Sequence, residues 1–279
     1  MSHTATAPGT SLRSLQRRPA TFGHALRSEW GKLASLWSFW YTLLAMAVIG
    51  VGIGALASSD AVGVYNEGTA QDRAAFDPAH ESLFTGLIFA ELAMVVLGVL
   101  VMTSEYATGM IRTSLSVVPR RGRLLAAKAV VLTVVSLAVG IPVGFAMFFA
   151  GQAVFAAGNI PYATLSDPGV LRAVLGVGLV LTATALFSLG VGTLIRATAG
   201  GIAIMFTVTL LVPTAILPSL PDWLGDPLLK YWPSAAGMQV LSVQPDPGAL
   251  PPLGGLAWMY AVVVVVMAAT FVVFRSRDI

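Results

Sequence analysis

The sequence predicts an all-α membrane protein: six transmembrane helices, an amphipathic interfacial helix ahead of them, and a short cytoplasmic helix between spans two and three. Three observations carry this. Of the 279 residues, 56% are hydrophobic and 10% are charged, against about 25% charged in an ordinary soluble domain, and the mean hydropathy is +0.82. Apolar runs long enough to cross a bilayer recur along the chain. The cations collect at the ends of those runs rather than on one face, so the net charge of +3 reflects membrane topology and not nucleic-acid binding. Cysteine is absent, which excludes disulfides and thiolate metal sites.

Residues 1–20 are rich in Ser, Thr, Ala and Pro with Arg13, Arg17 and Arg18, too polar to bury a core, and predict a disordered cytoplasmic tail. From residue 21 the pattern changes. Phe22, Leu26, Trp30, Leu33 and Trp37 recur at helical spacing and fall within about 80° of one another at 100° per residue. This predicts an interfacial helix over 21–38, apolar face toward membrane lipid, feeding directly into the first span. Glu29 sits awkwardly at the edge of the stripe. Trp30, Trp37 and Trp40 form an aromatic belt at the span entrance.

Residues 39–279 are expected to form one six-helix domain with spans at 39–57, 83–102, 124–151, 170–195, 200–220 and 256–274. Ala55-Leu56-Ala57 looks like a signal-peptidase site, but the apolar run before it exceeds the roughly 7–15 residues of a signal sequence, so the span is retained. Asp60 to Glu81 carries five acids and one cation, Arg73, which suits an exterior loop. In span three, Gly140, Pro142 and Gly144 predict a kink. Pro221 to Gly255 holds seven prolines in short apolar runs and predicts an exterior cap or shallow re-entrant element.

Thirteen of the 16 Lys and Arg fall on the side assigned to the cytosol; Arg73, Arg172 and Lys230 do not. Positive charge stays inside, so both termini and the loop Thr103–Lys128 are expected there. That loop carries Arg112, Arg120, Arg121, Arg123 and Lys128 against one acid, Glu105. Tyr106 to Val117 suits a short helix, ended by Pro119, which disfavours helical geometry before it and removes a donor. Were that helix continuous from Glu105, Glu105 and Arg112 would share a face two turns apart.

Chemistry-bearing motifs are sparse. No G-x-x-x-x-G-K-[ST], G-x-S-x-G or H-E-x-x-H occurs, and His3, His24 and His80 are scattered. No ATP site, metal site or catalytic group is therefore expected in this chain. Glu91 is the one acid deep in a span, where an ionisable group is a functional hypothesis by default. Met94, Gly98, Met102 and Glu105 share its helical face, which should point into the bundle, with Gly98 allowing close approach. Two readings stay open: Glu91 and Gly98 line a pathway or gate, or Glu91 is an internally hydrogen-bonded structural group. Thr184, Ser188 and Gly192 repeat small residues at every fourth position, a sign of close helix contact.

The loop SEYATGMIRTSLSVVPRRGRLLAAK resembles the first cytoplasmic loop of the ABC-2 family of ABC-transporter permeases, in its actinobacterial branch. The matching positions are Glu105, Tyr106, Thr108, Gly109, Arg112, Pro119, Arg120, Arg121 and Lys128; Met110 departs from the family, which more often has Thr there. Ser28-Glu29-Trp30 with Lys32 and Leu33, Tyr231-Trp232-Pro233-Ser234 with Gly237, and the ending Phe274-Arg275-Ser276-Arg277-Asp278 resemble further family elements. The resemblance spans about residues 22 to 279. It implies the permease subunit of an ATP-driven exporter in a bacterial cell membrane, with the loop helix as coupling helix. It also implies a second permease copy, the same or related, and a separate cytosolic ATPase dimer that binds ATP and Mg. The competing reading is a non-transporting immunity or assembly factor that binds a lipid-linked ligand.

Overall fold

The computed structural model describes residues 21–117, 121–244 and 248–276, and every regular element among them is helical. Thr21 caps the first helix, α1 (Phe22–Ala34), by accepting a hydrogen bond from the His24 backbone N–H. The chain then breaks: Leu36 is extended, and α2 (Trp37–Glu67) starts after it. The interfacial helix therefore does not feed straight into span one, and the predicted stripe is split. Leu33 is buried and Leu26 half-buried, while Phe22, Trp30 and Trp37 are exposed, the last of them already in α2. The face of α1 turned toward the bundle is Ala25, Glu29 and Leu33.

A short helix, α3 (Ala70–Ala74), leads to α4 (Pro78–Ala107). Asp77 caps α4, accepting from the Ala79 and His80 N–H groups at 3.1 Å each, and Pro78 occupies the first turn, where its missing N–H costs nothing. Thr108 ends α4, and Gly109 at φ 70° turns the chain, a left-handed conformation that glycine adopts without strain. The loop helix α5 is consequently Met110–Val117. Tyr106 belongs to α4, and the continuous helix that would have put Glu105 and Arg112 on one face does not exist.

Next come α6 (Arg121–Ala157), α7 (Val170–Ile195) and α8 (Thr198–Phe206). The last runs on as a π-helical stretch, Thr207–Ile216, and a 3₁₀ turn, Leu217–Ser219. Pro213 lacks the N–H that would meet the Thr209 carbonyl in an α-helix. That carbonyl instead accepts from Ser234 Oγ at 3.2 Å, and the Val208 carbonyl from Trp232 Nε1 at 2.7 Å. The donors come from the 221–255 region, which folds as α9 (Asp222–Lys230), α10 (Pro233–Met238) and a 3₁₀ turn, Gln239–Leu241. The chain closes with α11 (Pro252–Ser276).

Six segments are long and apolar enough to cross a membrane: α2, α4, α6, α7, Thr198–Ser219 and α11. The protein is an all-helical, multi-pass membrane protein. The 31 residues of α2 extend about 46 Å at 1.5 Å per residue, well beyond a hydrocarbon core of about 30 Å, so this helix projects past its predicted end at residue 57.

At the centre stands α7, 72% buried over its most apolar stretch, against 22% for α11 and for Thr198–Ser219. Its small-residue stripe meets α4: a Cβ on Gly98 would lie 2.5 Å from the Ala185 carbonyl oxygen, and one on Gly192 3.1 Å from the Val99 Cα. On its other side α7 meets α6, which continues through Pro142 as one helix. Gly140 and Gly144 serve that contact; a Cβ on Gly144 would sit 2.6 Å from the Val174 carbonyl oxygen.

Residues 221–244 cover the end of the bundle where α4 and α7 begin. Asp77 Oδ2 accepts from the Val243 and Gln244 N–H groups at 2.7 and 3.0 Å, and Val240 packs on Gly176. The basic loop lies at the opposite end.

Candidate functional site

At the basic-loop end four charged side chains close into a ring. The last turns of α4 deliver Glu105 and the first turns of α6 deliver Lys128, while α1 lies across both and contributes Glu29 and Lys32. Lys128 Nζ lies 2.7 Å from Glu29 and 2.7 Å from Glu105. Lys32 Nζ lies 2.6 Å from Glu29 and 2.8 Å from Glu105. Each carboxylate thus touches both ammonium groups, and the charges alternate around the ring and sum to zero.

Burial makes the arrangement consequential. Lys128 is 2% exposed, Glu29 3% and Glu105 4%, and a charge in that setting is tolerable only when paired and hydrogen-bonded. The third hydrogen of Lys128 goes to the Val101 carbonyl at 3.2 Å. Lys32 is the partly open corner. Burial, the largest influence on it, pulls its pKa down, but the hydrogen bonds and charges of Glu105 and Glu29 outweigh this and hold it above the ordinary lysine value.

Ser114 joins α5 to the ring. Its hydroxyl accepts from Lys32 at 2.9 Å and donates to Glu105 Oε2 at 3.3 Å. Ile111, 3% exposed, inserts from the same helix into the main hydrophobic core, while Met110 and Thr113 stay exposed. A helix of 8 residues is marginal alone, so these two inward residues fix its position. Through Ser114, α5 is tied to Lys32 of α1 and Glu105 of α4.

The sequence-predicted loop residues divide. Glu105 is in the ring. The Tyr106 ring lies 5.2 Å from the Arg196 guanidinium carbon, tying the end of α4 to the turn after α7. Thr108, at the end of α4, donates through its hydroxyl to the Ser104 carbonyl at 2.8 Å, and Gly109 makes the left-handed turn. Arg121 opens α6. The side chain of Arg112, and Pro119 and Arg120 entirely, lie outside the described residues. Sequence reading did not place Glu29, Lys32, Ser114 or Lys128 in a site. The available signal was Glu29 on the margin of an apolar stripe, with Lys32 three residues on.

Glu91 lies deeper in the bundle on α4. It is buried and accepts from Thr184 Oγ1 of α7 at 2.8 Å. Met94, Gly98, Met102 and Glu105 on the same face are all buried. Gly98 is taken up by the close α4–α7 contact. Among the described residues no group of three His, Asp or Glu side chains could hold a metal ion.

No known family profile matches the chain, and no curated protein does either.

Proposed function

We propose that this chain is the membrane-spanning permease subunit of an ATP-driven exporter of the ABC-2 type, working as a dimer with a separate cytosolic ATPase. One observation carries the reading: α5 offers exposed residues outward while Ile111 and Ser114 anchor it to the core and to a buried ion ring spanning three other helices. That is the construction a force-transmitting helix needs, because a push on it moves rigid elements and not a loop. The chain's resemblance to ABC-2 permeases in this segment and its lack of a P-loop support the same reading; ATP and Mg would be bound by the partner. In this reading α5 and both termini face the cytosol of a bacterial cell, and six spans pair with six more from an identical or related copy.

A photo-crosslinking amino acid at Thr113, introduced in the native host membrane, tests the assignment. The expected adduct is a soluble protein carrying a P-loop and an ABC signature, with no such adduct from the same probe at Ala74. Adducts lacking any such ATPase at Thr113 would overturn the reading and favour a ligand-binding membrane protein without transport.

A further inference from the structure

We infer that a cleft beside Glu91 binds a lipophilic cation. The cleft, about 390 Å³, lies between α4, the π-helical stretch and the α9–α10 cap. Its walls are mostly apolar, with Phe84, Ile88, Leu210 and Met238 among them, and Glu91 sits in its lining. An apolar cavity with a few convergent polar groups is the usual form of a small-molecule site.

The chemistry of the ligand follows from what Glu91 lacks. Among the described residues its carboxylate accepts one hydrogen bond, from Thr184 to Oε1, although a carboxylate has about four acceptor positions. None of the four ion pairs among the described residues includes it. The contrast with Glu105 is direct: an equally buried acid on the same helix face has two lysines and a serine. The other charged groups of the lining are Asp226 and Lys230 of α9; His80 is stacked on Phe84 at 4.9 Å. Lys230 and Asp226 offset each other, leaving Glu91 to set the preference. An apolar body with an N–H-bearing cation suits the walls and supplies the counter-charge without which so buried an acid does not ionise. An anion would meet a buried acid.

As a transport site this rests on the permease reading, but binding is a property of the isolated chain and needs no ATPase, so the two fail separately. The purified protein in nanodiscs would be titrated with a rhodamine cation bearing N–H groups, with neutral Nile red, and with anionic anilinonaphthalene sulfonate, following fluorescence anisotropy. The rhodamine should bind saturably and the sulfonate should not displace it. Glu91→Gln keeps the shape and a hydrogen-bond acceptor but removes the charge; it should weaken rhodamine about tenfold and leave Nile red unchanged, since contacts to charged groups lose most when one side is neutralised. Thr214→Trp, on the exposed wall of the cleft, should weaken both dyes. Native rhodamine affinity in Glu91→Gln, or equal competition by the sulfonate, overturns the proposal. Should the Gln variant fail to fold, native rhodamine affinity in Thr214→Trp overturns it instead.

Discussion

Glu29 and Glu105 accept hydrogen bonds from the same ammonium group, with Lys128 Nζ 2.7 Å from an oxygen of each. Since Glu29 is on the helix before span one and Glu105 closes span two, this cation, together with Lys32, joins segments that would otherwise repel each other. Lys128→Met should therefore be severely destabilising: it leaves two buried carboxylates with Lys32 alone, and removing one partner of a buried pair costs about 3–5 kcal/mol. The double change Glu29→Gln, Lys128→Met removes one charge of each sign, leaves Lys32 paired with Glu105, and should recover much of that loss. Thermal unfolding of the detergent-solubilised variants checks both; a Lys128→Met protein as stable as the native one would show that the ring is not what holds α1.

Lys32 sets the alkaline limit of the same ring. Its pKa is raised in the fold because the pull of Glu105 and Glu29 exceeds the effect of burial. A group with a raised folded pKa contributes stability that is complete below its unfolded value, about 10.4 for lysine, and is lost as pH rises through the folded value. The stability difference between the native protein and Lys32→Gln should therefore be constant from neutral pH to about 10 and shrink above it. Melting temperatures of both proteins across that range give the answer. A difference that fades below pH 9 would mean that Lys32 is not held in its charged form.

Much of the architecture was legible because membrane burial writes long signals. A helix that crosses lipid needs about 20 apolar residues, and six such segments stand in the sequence. The face Glu91, Met94, Gly98, Met102 and Glu105 was likewise readable from helical periodicity, and all five are buried. The ring was not. Its members come from α1, α4 and α6, and only packing brings them together; along the sequence Glu29 looks like an acid misplaced beside an apolar stripe. Chain direction hid the loop as well. Nothing in Tyr106 to Val117 forbids one continuous helix, yet Gly109 takes the left-handed turn and gives Tyr106 to α4 and Ile111 to α5. The π-helical stretch depends on Trp232 and Ser234 reaching carbonyls near Pro213, a tertiary arrangement that local propensity does not encode.

Topology can be measured directly in this cysteine-free chain. Ala74 and Thr113 are both exposed, on connections at opposite ends of the bundle. With the positive loop retained in the cytosol, Ala74→Cys should react with an impermeant maleimide in intact cells and Thr113→Cys only after the membrane is opened. The reverse pattern would invert the assignment.

Placing a cation at Glu91 should act on insertion. Glu91→Lys puts a long ammonium against Thr184 in the middle of a span, where insertion scales assign about 2.5–3.5 kcal/mol to a lysine. The variant should accumulate in the membrane to a lower level than Glu91→Gln, whose amide accepts the Thr184 hydroxyl as the carboxylate does. Quantitative immunoblotting of membrane fractions separates the two; equal levels would place Glu91 in a wetter setting than its burial indicates.

Ser114 offers the sharpest test of α5 as a transmitting helix. Glu105→Ala is a blunt instrument, because it strips the ring of a carboxylate and leaves two ammonium groups on Glu29. Gly109→Val strains the turn, since a β-branched residue is poorly tolerated at φ 70°, at a cost of about 1–3 kcal/mol; no neighbouring atom would clash with its Cβ. Ser114→Ala deletes only the hydroxyl that joins α5 to Lys32 and Glu105, and all four charges stay paired. The expected loss of stability is about 1 kcal/mol, the usual worth of such a hydrogen bond, so the protein should reach the membrane at near-native level. If the ring transmits motion from α5, ATPase binding should survive in Ser114→Ala, while substrate-stimulated hydrolysis by the partner falls several-fold. Reconstitution of the permease with its ATPase measures both at once. Native stimulation in Ser114→Ala together with lost stimulation in Gly109→Val would locate the coupling in the turn alone and leave the ring a structural clamp for α1.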